Sequence, residues 1–138
     1  MKKEFSKNWN SSKQPRKKRK YLAKAPIHLK KKFLSTTLSK ELRKKYKKRN
    51  VVLRKGDKIK ILKGKHKGKT GKVNEIKIKR LKVYIDGIQT KKQDGSKVNI
   101  PLRPSNLQII ELNLDDKKRL AKISANSKNK EKINEDKK

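Results

Sequence analysis

Apolar and polar residues alternate along the middle of the chain, in short runs separated by polar turn residues. This period of two is typical of half-buried β-strands. The alternation changes parity between Val73 and Ile76, which predicts a β-bulge or a strong bend, and Asp94-Gly95 is a hairpin-turn signal. Five strands are expected, near residues 58–61, 73–78, 81–85, 98–100 and 107–110. They predict a mainly β domain over residues 51–112, folded as a small five-stranded antiparallel barrel.

On both sides of the strands the apolar spacing changes to three and four residues, which predicts short helices. Two are expected in residues 25–50, the first beginning at Pro26 and the second capped by Ser39. A third is expected in residues 113–125, capped by Asn113, with Leu120 and Ile123 on one face. Helices this short are not stable alone in water, so their apolar faces must pack on the domain or on a partner.

The two ends of the chain have too few apolar residues to build a core. Residues 1–24 form a basic arm with isolated aromatic residues, and residues 126–138 form a polar tail. Residues 1–20 of the arm and the whole tail are expected to be disordered in the isolated chain, because little burial offsets their conformational entropy. The arm is expected to become ordered on nucleic acid, with Trp9 available to stack on a base. The alternatives are a solvated tail and a nuclear-import signal.

Charge is the strongest compositional signal. The 138 residues include 46 Lys and Arg against 12 Asp and Glu, a formal net charge of +34. Residues 1–50 carry +18 of it, residues 51–112 carry +12, and residues 113–138 carry +4. A chain this basic is expected to bind a polyanion. Its 38 lysines and 8 arginines favour contact with phosphates over reading of bases, since the guanidinium group is the better base reader.

Several classes of site are excluded or not expected. The chain has no cysteine, so it forms neither disulfides nor zinc-finger ligand sets. His28 and His66 are far apart in sequence without a carboxylate cluster, so neither a metal nor another cofactor is expected. No apolar run reaches membrane length and none follows the basic start, so we expect no membrane partner and an intracellular, unprocessed protein.

A glycine-containing cationic segment lies between the first two predicted strands. We call residues 63–69 the cationic loop. Glycine lets a bulky anion approach the backbone, and lysine supplies a flexible point charge, so the loop suits contact with phosphates. His66 is equally well explained as a solvated loop residue. The loop consists of Lys63, Gly64, Lys65, His66, Lys67, Gly68 and Lys69.

Gly68-Lys69-Thr70 matches the end of a Walker A motif, but the rest of that motif is missing. The motif needs a glycine at position 63, which is lysine, and a helix after the threonine. Gly71 and a strand-like run follow instead. No pair of carboxylates or activated serine suggests other catalysis. The sequence therefore predicts that the chain is not an enzyme.

Residues 54–76 resemble a KOW motif, and the chain from about residue 13 to residue 119 resembles large-subunit ribosomal protein twenty-four, called twenty-six in eukaryotes. The helical block before the motif is the more specific part and is similar to the archaeal and eukaryotic branch. The segments that carry the resemblance include Ala25-Pro26-Ile27-His28, Leu38-Ser39-Lys40-Glu41-Leu42-Arg43, Arg54-Lys55-Gly56-Asp57, the cationic loop, Pro104-Ser105-Asn106 and Leu112-Asn113-Leu114.

The resemblance implies an SH3-like barrel bound to large-subunit ribosomal RNA near the polypeptide exit tunnel. It further implies neighbouring large-subunit ribosomal proteins as partners, a role early in subunit assembly, a place on cytoplasmic ribosomes, and no homo-oligomer. RNA contacts are implied for the cationic loop and for the basic N-terminal block. In that block the candidates are Arg16, Lys17, Lys18, Arg19, Lys20, His28, Lys30, Lys31 and Arg43.

Two other functions fit part of the sequence. A KOW segment also occurs in transcription factors that bind RNA polymerase, but such a module would need a further globular domain or an exposed apolar patch for that contact. A protein that compacts DNA would fit the charge, although it would leave the predicted barrel unexplained.

Overall fold

The structure is a computed structural model that describes residues 5–124. It is a small mixed α/β fold in which short helices flank β-sheet. The strands are β1 (Ser35–Leu38), β2 (Asn50–Val52), β3 (Lys58–Ile61), β4 (Thr70–Lys77), β5 (Lys82–Ile85), β6 (Gln89–Lys91), β7 (Lys97–Asn99) and β8 (Leu107–Glu111). The helices are α1 (Pro15–Lys24), α2 (Ile27–Phe33), α3 (Lys40–Tyr46) and α4, which covers residues 117–124. Short 3₁₀ turns span Lys7–Ser11, Ile78–Arg80 and Pro104–Asn106.

Six strands form one sheet in the order β2-β1-β8-β3-β4-β5, and β6 pairs with β7 in a separate hairpin. All neighbours are antiparallel except β1 and β8, which are parallel. Val83 of β5 and Leu102 exchange two backbone hydrogen bonds of 2.9 Å, so the segment after β7 lies beside β5. The mainly β expectation is roughly met, but a closed five-stranded barrel is not confirmed, because the sheet has six strands with β2 and β5 at its edges.

The central strands follow the sequence pattern closely. In β3, Ile59 and Ile61 are buried while Lys60 is exposed. The β4–β5 register shifts between Val73 and Glu75, which confirms the bulge predicted from the change of parity. Both isoleucines belong to a core cluster. Its buried members are Leu38, Leu53, Ile59, Ile61, Val73, Val83, Ile85, Ile88, Leu107 and Ile109.

Strands β1, β2 and β6 were not expected from the sequence. β1 is rich in hydroxyl residues, so its alternation of half-buried and buried positions does not appear as an alternation of polar and apolar residues in the sequence. Thr36 is buried, and its Oγ1 donates to the carbonyl of Pro104 at 3.4 Å, while Thr37 Oγ1 donates to the carbonyl of Leu107 at 3.2 Å. β6 is exposed along its whole length, so burial leaves no pattern in its sequence.

The two helices expected in residues 25–50 are confirmed as α2 and α3. Ser39 caps α3, because its Oγ accepts a hydrogen bond from the backbone N–H of Leu42 at 3.3 Å. Pro26 lies one residue before the first turn of α2 rather than in it. Lys47 ends α3 in the left-handed region, with φ of 48°.

The expectation of disorder over residues 1–20 is wrong from residue 15 onward, because α1 (Pro15–Lys24) begins there. Tyr21 on this helix is buried between two other aromatic rings. Its ring centroid lies 5.2 Å from that of Phe5 and 5.8 Å from that of Phe33. This stack supplies the apolar contact that the composition of the arm did not indicate.

α4 begins later than expected. The helix starts at residue 117, and Asp116 rather than Asn113 caps it, since Asp116 Oδ1 accepts from the backbone N–H of Lys118 at 2.8 Å. Leu120 and Ile123 do not share a buried face, since Leu120 is 46% exposed and Ile123 is 2% exposed. The tail expected over residues 126–138 lies outside the described residues.

None of the helices within residues 5–124 is both long enough and apolar enough to cross a membrane.

Candidate nucleic-acid interface

The cationic loop is a compact turn between β3 and β4. The backbone N–H of Gly68 donates to the carbonyl of Ile61 at 2.8 Å, and that of Ile61 donates to the carbonyl of Lys69 at 2.9 Å. Inside the loop, the N–H of Lys67 donates to the carbonyl of Gly64 at 3.0 Å. These bonds fix the loop backbone, so its side chains extend from a defined support.

Two glycines shape this loop through their conformation. Gly64 has φ of +100° and Gly68 has φ of +89°, values that residues with a side chain rarely adopt. A Cβ at either position would have no atom within 4 Å, so the turn requires glycine for its backbone angles and not for lack of space. The side of the loop near these residues is therefore open to a ligand.

All four lysines of the loop are exposed, and His66 is half-buried. No acidic residue lies within the loop. Four cations thus extend from one ordered turn. β4 starts directly after the loop at Thr70, where a Walker A motif would need a helix.

The basic candidates of the N-terminal block lie on three helices. Four of the five cations near the start of α1 are exposed, and Lys20 is half-buried: the exposed ones are Arg16, Lys17, Lys18 and Arg19. On α2, His28 and Lys31 are exposed, while Lys30 Nζ donates to the carbonyl of Ala23 at 2.9 Å. Arg43 on α3 is half-buried, and its Nε donates to the carbonyl of Leu38 at 2.9 Å. Lys30 and Arg43 therefore also hold the helices in place.

The 3₁₀ turn Pro104–Asn106 links the loop to the N-terminal block. On one side the backbone N–H of Leu62, next to the loop, donates to the carbonyl of Asn106 at 2.8 Å. On the other side Leu22 of α1 and Phe33 of α2 line a shallow pocket together with Pro104. The structure thus connects both predicted binding regions through one short element.

Three cations at this pocket were not among the predicted site residues. Arg80, Lys82 and Arg103 lie around it, with the apolar side chains of Leu22 and Phe33. Arg80 and Lys82 lie in or beside a predicted strand where basic and apolar residues are mixed, and Arg103 stands before a proline, so a search for long runs of charge does not find them. Only the fold brings the three together.

A second cationic region lies between α2, β2 and α4. Lys31 was predicted, whereas Lys48, Arg54 and Lys122 were not. Lys48 Nζ donates to the carbonyl of Lys122 at 2.5 Å, and burial lowers the pKa of the Lys48 ammonium from its ordinary value. No sequence signal associates residues 48 and 122, because they are distant along the chain.

A buried ion pair supports this region from inside. Arg119 Nη1 and Nη2 donate to Asp57 Oδ1 and Oδ2 at 2.6 and 2.7 Å. Asp57 also accepts backbone N–H groups of Arg54 and Asn113 at 2.8 and 2.9 Å. Arg54 pairs in turn with Asp116 at the start of α4. The arrangement fixes α4 on the sheet and leaves both carboxylates engaged.

Within residues 5–124 no three His, Cys, Asp or Glu side chains are grouped as they would be to hold a metal ion. The exposed chemistry of this surface is that of ammonium and guanidinium groups, which bind anions.

The chain matches, over residues 12–126, the family of ribosomal proteins described as L26 in eukaryotes and L24 in archaea. It is also similar to the large ribosomal subunit protein uL24 of Methanospirillum hungatei JF-1. The two are 44% identical over 113 residues, which cover 82% of this chain and 94% of that protein.

Proposed function

The chain belongs to the family of eukaryotic L26 and archaeal L24 ribosomal proteins, and we propose that it binds large-subunit ribosomal RNA chiefly through the RNA backbone. The family is a structural, non-enzymatic class, so the chain is a structural constituent of the large ribosomal subunit and not an enzyme.

The observation that carries the proposal is the cationic loop. Four exposed lysines extend from a turn whose backbone is fixed by β3 and β4, with no acidic residue inside it. Lysine binds phosphate as a point charge and reads bases poorly. We infer that the loop sets the position of the protein on the RNA, while the exposed cations of α1 and α2 add contact area.

The finer picture follows from the family resemblance. In it, β3, the loop and β4 act as a KOW unit within an SH3-like arrangement of β3, β4, β5, β7 and β8. The pair of hydrogen bonds between Val83 and Leu102 supports such a curled arrangement. The bound RNA lies near the polypeptide exit tunnel, and neighbouring large-subunit proteins are the other partners. The protein acts as a monomer, early in subunit assembly, and resides on cytoplasmic ribosomes.

A variant of the full chain with Lys65, Lys67 and Lys69 changed to alanine tests the loop. Binding to a large-subunit RNA fragment should weaken, and the slope of log K against log salt should fall by roughly 2–3, about one for each lost phosphate contact. The measurement is a set of binding isotherms between about 50 and 200 mM salt.

The matched control changes three exposed lysines of the β6–β7 hairpin to alanine: Lys91, Lys92 and Lys97. It removes the same number of positive charges, and it should change the slope of log K against log salt less than the loop variant does. An equal loss in both variants would mean that total charge and not the loop carries binding. A changed sequence preference in the loop variant would contradict backbone recognition.

Co-sedimentation of the full chain with large ribosomal subunits tests the cellular role. Recovery with large subunits in magnesium buffer is expected. Recovery with RNA polymerase alone would favour the transcription-associated alternative.

A further inference from the structure

A groove between α2, β2 and α4 has a cavity volume of about 280 Å³. A cavity of roughly 10–15 Å³ already holds one water, so the groove has room for a small polyatomic ion with its hydration. We call it the α4 groove. Five cationic side chains line it, and none of its lining residues carries a carboxylate: the cations are Lys31, Lys48, Arg54, Arg119 and Lys122.

Only two of these cations have an acidic partner within residues 5–124. Arg54 pairs with Asp116, and Arg119 pairs with Asp57. The other three form no ion pair in the part of the chain that the structure describes. Among the residues that the structure describes, the wall of the α4 groove therefore carries three positive charges without an acidic partner, on α2, on the segment after α3 and on α4.

The internal contacts of the α4 groove are those of an ordered site. Lys48 Nζ is held by the carbonyl of Lys122, so α4 and the segment after α3 are joined across the groove. Burial lowers the pKa of the Lys48 ammonium, because desolvation disfavours its charged form. A bound anion would offset that cost.

Arg119 provides an independent indication of an anion site. Its side chain is 4% exposed, and its Nε has no hydrogen-bond partner within residues 5–124. Asp57 already occupies both Nη atoms of the guanidinium group. An unsatisfied buried donor is costly, and a negative charge bound in the groove that Arg119 lines would stabilise this cation electrostatically.

We propose that the α4 groove binds a phosphate group, namely a phosphodiester of an RNA strand, as a second RNA site separate from the cationic loop. No residue of the loop lines the groove. The inference rests on the proposed function, and it adds the region joined by α4 to the contact surface. Lysine ammonium groups on three elements suit the several oxygens of one phosphate.

The test compares two double variants of the full chain. Lys31→Gln with Lys122→Gln removes charge from the groove. Lys32→Gln with Lys118→Gln removes the same charge from exposed positions on the same two helices that do not line it. The groove variant should bind the RNA fragment about tenfold more weakly, with a salt slope lower by roughly 1–2, and the control should change less.

The Lys65, Lys67 and Lys69 variant is measured in parallel. If the unmodified chain does not bind the RNA, the proposed function fails. If the loop variant loses affinity while the groove and control variants remain equal to each other, the α4-groove inference alone is overturned.

Backbone amide NMR signals of Val51 and Ile123, which line the groove and are unchanged in the groove variant, report on groove occupancy in the full chain. They should move on addition of the RNA fragment, and the groove variant should lose that response. Movement with millimolar inorganic phosphate as well would mean that the groove also takes free phosphate, which supports the same phosphate chemistry. No movement with either probe would overturn the inference.

Discussion

Asp57 and Arg119 form a buried, two-pronged ion pair between the start of β3 and α4. Asp57 is 0% exposed, and four donors surround its carboxylate. Removing one member of such a pair leaves the other charge buried without compensation, which is far more costly than losing an exposed pair. The sequence shows the carboxylate in Arg54-Lys55-Gly56-Asp57, but nothing in it identifies a partner at position 119.

Asp57→Asn should lower the free energy of unfolding by about 3–5 kcal/mol, because the shape is kept while the Arg119 charge becomes unpaired. Chemical denaturation of the full chain measures it. Glu111→Gln is the control, since it removes the exposed pair of Lys58 and Glu111 and should cost less than about 1 kcal/mol.

Replacing both members of the buried pair with leucine separates charge from packing. That double variant should recover part of the loss, because two uncharged side chains need no compensation. Equal costs for Asp57→Asn and Glu111→Gln would contradict the role given to the buried pair.

Two central strands with an apolar buried face, β3 and β5, could be predicted from the sequence, whereas β1 and β6 could not. β3 and β5 alternate plainly, whereas β1 buries a threonine whose hydroxyl is satisfied by Pro104, and β6 buries nothing. Helix α1 was not predicted either, because its packing depends on contacts of Tyr21 with Phe5 and Phe33. The periodicity of apolar residues in a sequence indicates burial only where the buried residues are apolar.

The same distinction applies to the candidate site, of which one part could be predicted from the sequence and another could not. The cationic loop could be found because its charges are adjacent in sequence and its glycines mark a turn. Apart from Lys31, the cations around the α4 groove could not, because Lys48 and Lys122 meet only after β2 and α4 are in place.

Asp116→Ala should destabilise the protein by about 0.5–2 kcal/mol, because α4 loses its N-cap. The Asp116 carboxylate accepts the backbone N–H groups of Lys118 and Arg119 at 2.8 and 3.2 Å. Thermal melts of Asp116→Ala, with exposed Asp115→Ala as the control, measure the effect.

Asp116→Asn separates capping from charge. It keeps a capping oxygen but loses the pair with Arg54, so its melting temperature should lie nearer to that of the unmodified chain. A melting temperature equal to that of Asp116→Ala would indicate that the ion pair dominates.

Asp94 makes the stability of the β6–β7 turn depend on pH. The Ser96 hydroxyl and backbone N–H donate to Asp94 Oδ1 at 2.6 and 2.8 Å, and these bonds lower the pKa of the Asp94 carboxyl. Because the folded pKa lies below the unfolded value of roughly 3.9, the added stability is complete above that value and is lost as pH falls through the folded pKa. Ser96→Ala should raise the pKa of Asp94, as measured by carboxyl carbon NMR; an unchanged midpoint would contradict this cause.

The whole chain is short of negative charge, and its cations repel one another when it folds. With 46 basic and 12 acidic residues, no internal pairing can neutralise it. The described ion pairs occupy few of the cations, so the remainder needs counterions or a polyanion. Stability is therefore expected to depend on what is bound.

Adding the RNA fragment at a free concentration of 100 times its Kd should raise the free energy of unfolding by about 2.7 kcal/mol, provided that only the folded chain binds it. Denaturation with and without RNA measures the gain. At high salt, where binding is weak, the gain should disappear. A gain that persisted there would contradict an electrostatic interaction.

The parallel pairing of β1 with β8 has a consequence for synthesis. Thr37 pairs with Gln108, so β1 leaves the translating ribosome about 70 residues before its partner. At about 5–20 residues per second that interval is on the order of 4–14 s. During it the nascent chain exposes the cations of α1 and α2 before the sheet is complete.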